Sequence, residues 1–140
     1  MVVIVYEYLH LTRYIFTDGS PHPDPDVIDF YMGYSRGHWE GSTLVVDTTN
    51  FNDETWFDKA GNFHSDALHV VERYERTDTD HLNYEATIED PKVFSRPWTM
   101  RMPLYRRQEK NARLLEYECY SFRENELSKR EKEGDKSKSK

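Results

Sequence analysis

Residues 81–89 alternate without a break. Leu82, Tyr84, Ala86 and Ile88 fall on one side of an extended chain, and Asn83, Glu85, Thr87 and Glu89 on the other. A period of two suits a strand with one buried and one solvated face, and it cannot build the stripe of a helix. The same habit recurs along the chain between turn signals. Extended segments are expected at 2–10, 12–17, 31–39, 43–51, 67–77, 81–89, 97–107 and 113–122. The dipeptides Asp18-Gly19, Glu40-Gly41 and Asp90-Pro91 and the run Asp78-Thr79-Asp80 punctuate them. Ten Tyr, seven Phe and three Trp, with many Val and Thr, fit such a pleated surface. Helical spacing surfaces only at 26–32 and in the C-terminal tail.

Consecutive strands joined by tight turns predict an antiparallel up-and-down meander. About eight strands suffice to close a barrel, which removes the exposed edges. The expected fold is therefore all-β, a lipocalin-like (calycin-type) barrel, with a curved open sheet as the alternative. Two segments stand outside the meander. Three prolines within Pro21-His22-Pro23-Asp24-Pro25 exclude a central strand. Residues 52–66 form a loop long enough to suggest function rather than mere connection.

The 140 residues amount to a single domain, expected over 1–125. Residues 126–140 hold six basic and four acidic side chains and one large apolar one, Leu127, so a disordered charged tail is expected. Without it, 13 basic face 22 acidic residues, a net charge of −9 against −7 for the whole chain. A body this acidic is unsuited to binding nucleic acid through phosphates. One cysteine, Cys119, excludes an intramolecular disulfide and a Cys-rich zinc site, and its strand setting suggests an inert buried thiol. No apolar run approaches the roughly 20 residues of a spanning helix, so no membrane partner is expected. The start lacks a basic n-region and Glu7 interrupts any apolar h-region, so no signal peptide is read here.

Alternation also sorts the polar residues. If Leu68 and Val70 point inward, Glu72 and Tyr74 do too, while His69 and Arg73 point outward. An inward carboxylate is costly unless paired or hydrogen-bonded. Glu7 and Arg13 interrupt apolar strands in a similar way, so Glu72 is expected either in a structural ion pair or hydrogen-bonded cluster inside the barrel or in a pocket as an acid/base or metal ligand. His64 and His69 flank Ser65-Asp66-Ala67-Leu68 at the exit of the long loop, and with Glu72 they form the catalytic candidate set. Imidazole and carboxylate suit one divalent metal, for which His64, His69, Glu72, Asp58 and His22 are the candidate ligands, although their spacing matches no strong zinc signature. A bulge would be needed to bring His69 and Glu72 to one face. For ligand binding, the candidates are Trp39, Trp56, Phe57, Arg73, Tyr74 and Trp98. Trp56 and Phe57 stand out because two large apolar residues in mid-loop suggest a cover.

Several runs carry a resemblance: Asp18-Gly19-Ser20-Pro21-His22-Pro23, Gly37-His38-Trp39-Glu40-Gly41-Ser42-Thr43-Leu44-Val45-Val46-Asp47-Thr48, His64-Ser65-Asp66-Ala67-Leu68-His69-Val70-Val71-Glu72-Arg73, Thr87-Ile88-Glu89-Asp90-Pro91 and Pro97-Trp98. Together, over about residues 2–125, the chain resembles a large group of bacterial proteins common in environmental genomes, a group that brings no established activity with it. Its members usually look exported and carry a further N-terminal segment. The resemblance thus implies a periplasmic or secreted setting.

Three functions fit this reading. The first is a small-molecule-binding barrel whose aromatic, His- and carboxylate-lined pocket takes an apolar or aromatic compound. The second is a metal-dependent or acid/base enzyme (lyase, isomerase or hydrolase) at the barrel mouth. The third is a module that forms homo-oligomers through an exposed strand edge.

Overall fold

The computed structural model describes residues 1–114. They are all-β: no helix occurs among them, and residues 26–32, where helical spacing surfaced, form turns and an isolated bridge at Phe30. Seven strands follow in chain order, β1 (Val2–Val5), β2 (Thr12–Phe16), β3 (Tyr34–Glu40), β4 (Thr43–Thr49), β5 (His69–Arg76), β6 (His81–Glu89) and β7 (Trp98–Tyr105). They lie side by side in that same order, and among the described residues β7 does not return to pair with β1. Of the two expected architectures, the molecule adopts the curved open sheet, curled into a half-barrel. The eighth expected strand, 113–122, falls almost wholly outside the described residues, as do Cys119 and the tail 126–140.

The chain divides into two compact units, residues 1–4 with 13–110, and residues 5–12 with 111–140. Within the second, Tyr6 N donates to Leu11 O at 2.9 Å, and Leu9 and His10 take positive φ of 54° and 52°. That reversal ends β1 well short of residue 10, where alternation had carried it. Apart from Val5 and Thr12, at the ends of β1 and β2, the sheet belongs to the first unit.

The pairing of β2 with β3 departs from the meander: the two are parallel, Ile15 opposite Ser35 and Phe16 opposite Arg36. Parallel neighbours need a crossover rather than a hairpin. The Pro-rich connection 17–33 supplies it, because Pro21, Pro23 and Pro25 cannot join a ladder and the chain returns to the end from which β2 started. All later pairs are antiparallel.

A single sheet with no covering layer buries a face only by curling. The buried face carries Ile15, Leu44 and Val46 in one cluster, and Leu68, Ala86 and Ile88 in another. Phe57, Phe94 and Trp98 pack against the second, with ring centroids 5.8–6.0 Å apart in edge-to-face pairs.

Two glycines show what the curl demands. Gly33 precedes β3 at φ +65°, and a Cβ there would lie 2.7 Å from Thr48 Cγ2 and 2.8 Å from Thr49 O. Gly41 turns the β3–β4 hairpin at φ +60° with open space around it. Gly33→Ala is therefore expected to lose about 2–3 kcal/mol, from strain plus overlap, and Gly41→Ala only about 1 kcal/mol. Urea denaturation of the two variants side by side checks this. Equal losses would mean that crowding at Gly33 is relieved at no cost.

Candidate functional site

The inner face holds a charged cluster inside the apolar curl. Alternation along β5 turns Glu72 inward, opposite Val46 and Ala86, and Glu72 is 5 % exposed. Arg13 of β2 is its ion-pair partner through Nη2 and Oε2. The hydroxyls of Tyr74 and Tyr84 each donate to Glu72 Oε1 at 2.9 Å. Arg13 Nε donates to Ser35 Oγ at 2.8 Å and Nη2 to Thr48 Oγ1 at 2.7 Å. Burial above all, and then the Glu72 charge, push the Tyr74 phenol far above its ordinary value, so it remains a donor. Of the two expectations for Glu72, the geometry delivers the hydrogen-bonded cluster with Arg13.

Beside this cluster runs an apolar row. The register places Trp39, Leu44, Tyr74, Tyr84 and Met102 opposite one another across five strands. Leu44 is buried and Tyr74 and Tyr84 are half-buried, but its ends are open, Trp39 at 59 % and Met102 at 39 % exposure. The next row on the same face is Arg76, Leu82 and Leu104. There the surface sinks into a hollow of about 320 Å³, with Leu82 and Leu104 as apolar lining and His81, Tyr105, Arg76 and Arg106 around them.

On the outer face, two histidines meet one carboxylate. His22 Nε2 lies 2.9 Å from Asp47 Oδ1, and His69 Nε2 lies 2.9 Å from Asp47 Oδ2. His22 arrives from the Pro-rich crossover, Asp47 from β4 and His69 from β5. Thr49 Oγ1 is 3.0 Å from the other nitrogen of His22, and Glu89 Oε2 is 4.0 Å from that of His69.

The remaining candidates disperse. His64 is buried with both nitrogens engaged, Nδ1 with Ser65 O at 3.1 Å and Nε2 with Thr55 Oγ1 at 2.8 Å. A carbonyl only accepts, so Nδ1 carries a hydrogen. His64 is thus a structural histidine beneath Phe51, whose ring centroid is 5.9 Å away. Asp58 organises its own loop, accepting from Ala60 N, Asn62 N and Asn62 Nδ2 at 2.7–3.2 Å. The Asn62 side chain foremost holds its carboxyl below the usual range. His69 and Glu72 occupy opposite faces of β5, with no bulge between them. The expected metal set of His64, His69, Glu72, Asp58 and His22 therefore does not converge, and among the described residues no group of three His, Cys, Asp or Glu is arranged to hold a metal ion.

The aromatic loop divides likewise. Phe57 packs with Phe94 and Trp98, so these cover part of the core, whereas Trp56 is 72 % exposed. Its backbone bridges to Phe63 across the loop. Arg73 pairs with Glu40 at 2.7 Å on the outer face. Of the six ligand-binding candidates, Trp39 and Tyr74 share the apolar row.

Sequence reasoning left Asp47, Thr49, Tyr84 and Met102 out of the site. For Tyr84 a signal existed, since it lies inward in the cleanest alternating strand, but its partner Glu72 depended on the β5–β6 register.

Comparison with family models, with curated proteins and with solved structures returned no match. No helix among the described residues is long and apolar enough to cross a membrane.

Proposed function

We propose that the domain binds a small, uncharged apolar or aromatic molecule on the inner face of its curled sheet. The ligand lies along the row Trp39–Leu44–Tyr74–Tyr84–Met102, toward the hollow at Leu82 and Leu104. The observation that carries this reading is that the row is apolar across five strands while both ends remain open. Exposed apolar surface continuous with a concave core is the common form of a small-molecule site. The neighbouring Arg13–Glu72 pair cancels its own charge and engages both tyrosine hydroxyls, which favours a neutral ligand over an ion. The resemblance to exported bacterial proteins supports a periplasmic or extracellular setting.

The test is tryptophan fluorescence titrated with a panel of uncharged aromatic and aliphatic compounds. Saturable quenching is expected. Trp39→Ala should weaken the bound compound about tenfold or more, since a buried aromatic contact supplies 1.5 kcal/mol or so. Trp56→Ala, at an exposed position in the loop 52–66, should leave affinity unchanged. A flat response across the panel, or equal losses in the two variants, would remove the inner-face site.

A further inference from the structure

A second hollow, of about 480 Å³, opens on the outer face over β5, β6 and β7. The register sets its lining out as a grid. Arg73, Glu85 and Arg101 lie opposite one another in one row, and Glu75, Asn83 and Pro103 in the next. Two contacts are already made across it. Arg73 Nη2 donates to Glu40 Oε2 at 2.7 Å, and Arg101 Nε donates to Glu85 Oε2. The second contact leaves both terminal nitrogens of Arg101 without a partner among the described residues, and the side chains of Glu75 and Asn83 have none there either. The uncommitted groups are thus a guanidinium fork, a carboxylate and a side-chain amide. Arg101 and Glu75 do not satisfy each other because they stand at opposite corners of the grid. Two strand spacings of about 4.8 Å and two residues of about 3.3 Å place their Cα atoms roughly 12 Å apart. Asn83 lies between them, on β6.

We infer that this hollow is a binding site for a zwitterion of dipeptide size, whose carboxylate takes the Arg101 fork, whose ammonium takes Glu75 and whose peptide group faces Asn83. The chemistry at each end selects one charge. A guanidinium presents a planar pair of N–H groups that matches a carboxylate, and a carboxylate accepts from an ammonium. Asn83 offers both a donor and an acceptor, which is what a peptide group between those termini needs. The span fits as well. An extended dipeptide is about 7 Å long, and the Arg101 and Glu75 side chains supply the remaining few ångströms of the gap. Charge balance separates a zwitterion from a simple ion. The acidic body holds anions off, and a simple cation would leave the Arg101 fork unused. Arg101 and Glu75 are exposed, so both ion pairs are screened by solvent and the affinity is modest. The site lies on the opposite face of the sheet from the row Trp39–Met102 and is independent of the ligand proposed there.

An NMR titration of the whole chain with alanylalanine tests this, with the N-acetylated and the C-amidated dipeptide run beside it. The free dipeptide should give saturable shifts at the backbone amides of Glu75, Asn83 and Arg101. Either cap should weaken binding about fivefold, the loss of one charge-assisted contact at an exposed site. Glu75→Gln should erase the preference for the free over the acetylated amine and keep the preference for the free carboxylate. Arg101→Gln should do the reverse. Trp39→Ala should change neither preference. Equal binding of free and capped dipeptides overturns the inference, and so does an absence of saturation at these amides. A preference that survives both Glu75→Gln and Arg101→Gln also overturns it, because the charges would then be read elsewhere. The capped dipeptides need only the unsubstituted protein, so they decide the matter even if a variant fails to fold.

Discussion

Arg13→Met is expected to destabilise the domain by about 3–5 kcal/mol, the loss typical of a buried ion pair stripped of one member. The substitution removes the partner of a carboxylate that is 5 % exposed and leaves it two tyrosine hydroxyls. Ser35 Oγ and Thr48 Oγ1 lose their guanidinium donor at the same time and are left with each other at 3.1 Å. Tyr74 cannot adapt by ionising, since burial and the Glu72 charge hold its proton in place. The double variant Arg13→Met with Glu72→Leu should recover most of the loss, because removing both charges removes the desolvation penalty too. Urea midpoints of the single and double variants, with slopes compared, give the answer. A loss below about 1 kcal/mol for Arg13→Met would place the pair in water in solution. It would also undercut the neutral-ligand argument, since that argument requires the cluster to be internally satisfied.

This cluster also marks how far the sequence could be read. Alternation in β6 was uninterrupted, and the strand spans His81–Glu89 as expected. Alternation in β5 put Glu72 inward and His69 outward, and both orientations hold. What a period of two cannot supply is the register between strands. Glu72 meets Tyr84 because β5 and β6 pair with Tyr74 opposite Tyr84, and meets Arg13 because β2 lies beyond β3 and β4. The same gap hid Asp47. It lies in an apolar strand, and its importance comes from His22, which arrives through a crossover whose direction the prolines do not declare.

The loop aromatics show a second limit. Trp56 and Phe57 are adjacent and equally apolar, yet Phe57 packs on Trp98 at 5.9 Å while Trp56 faces solvent. Neighbours in an irregular segment point in directions that backbone hydrogen bonds decide. Here Phe57 N donates to Asn62 O at 2.7 Å, under a turn that Asp58 organises. His64 misled in the same way. Its proximity to His69 in sequence suggested a shared site, but Thr55 and the Ser65 carbonyl occupy its two nitrogens.

Asp90→Asn should cost about 2–4 kcal/mol at neutral pH, and the deficit should shrink as the solution is acidified. Asp90 is 1 % exposed. Its Oδ2 accepts from Ser65 N at 2.7 Å, and its Oδ1 from Ser65 Oγ at 2.7 Å and Lys92 N at 3.1 Å. The carboxylate thus ties the exit of the long loop to the turn after β6. An amide has one acceptor atom where the carboxylate has two. Whichever way it is placed, its NH2 group meets a donor, either Ser65 N–H or Lys92 N–H, and a buried donor is left without an acceptor. Burial alone would raise the Asp90 carboxyl, but the bonds from Ser65 and Lys92 outweigh it and hold the group below the usual aspartate value. A carboxyl lowered in the folded state adds stability above its unfolded value of about 3.9, and that contribution drains away as pH falls through the folded value. Chemical denaturation of wild type and Asp90→Asn at about pH 7, 5 and 3 should therefore give converging midpoints. A constant gap would assign the loss to shape rather than charge. Ser65→Ala, which removes the hydroxyl and leaves the backbone donor in place, should cost nearer 1 kcal/mol. Since Leu68 and Ile88 pack together just beyond this link, loosening it should also expose Trp98, which a red shift in emission would report alongside the fall in midpoint.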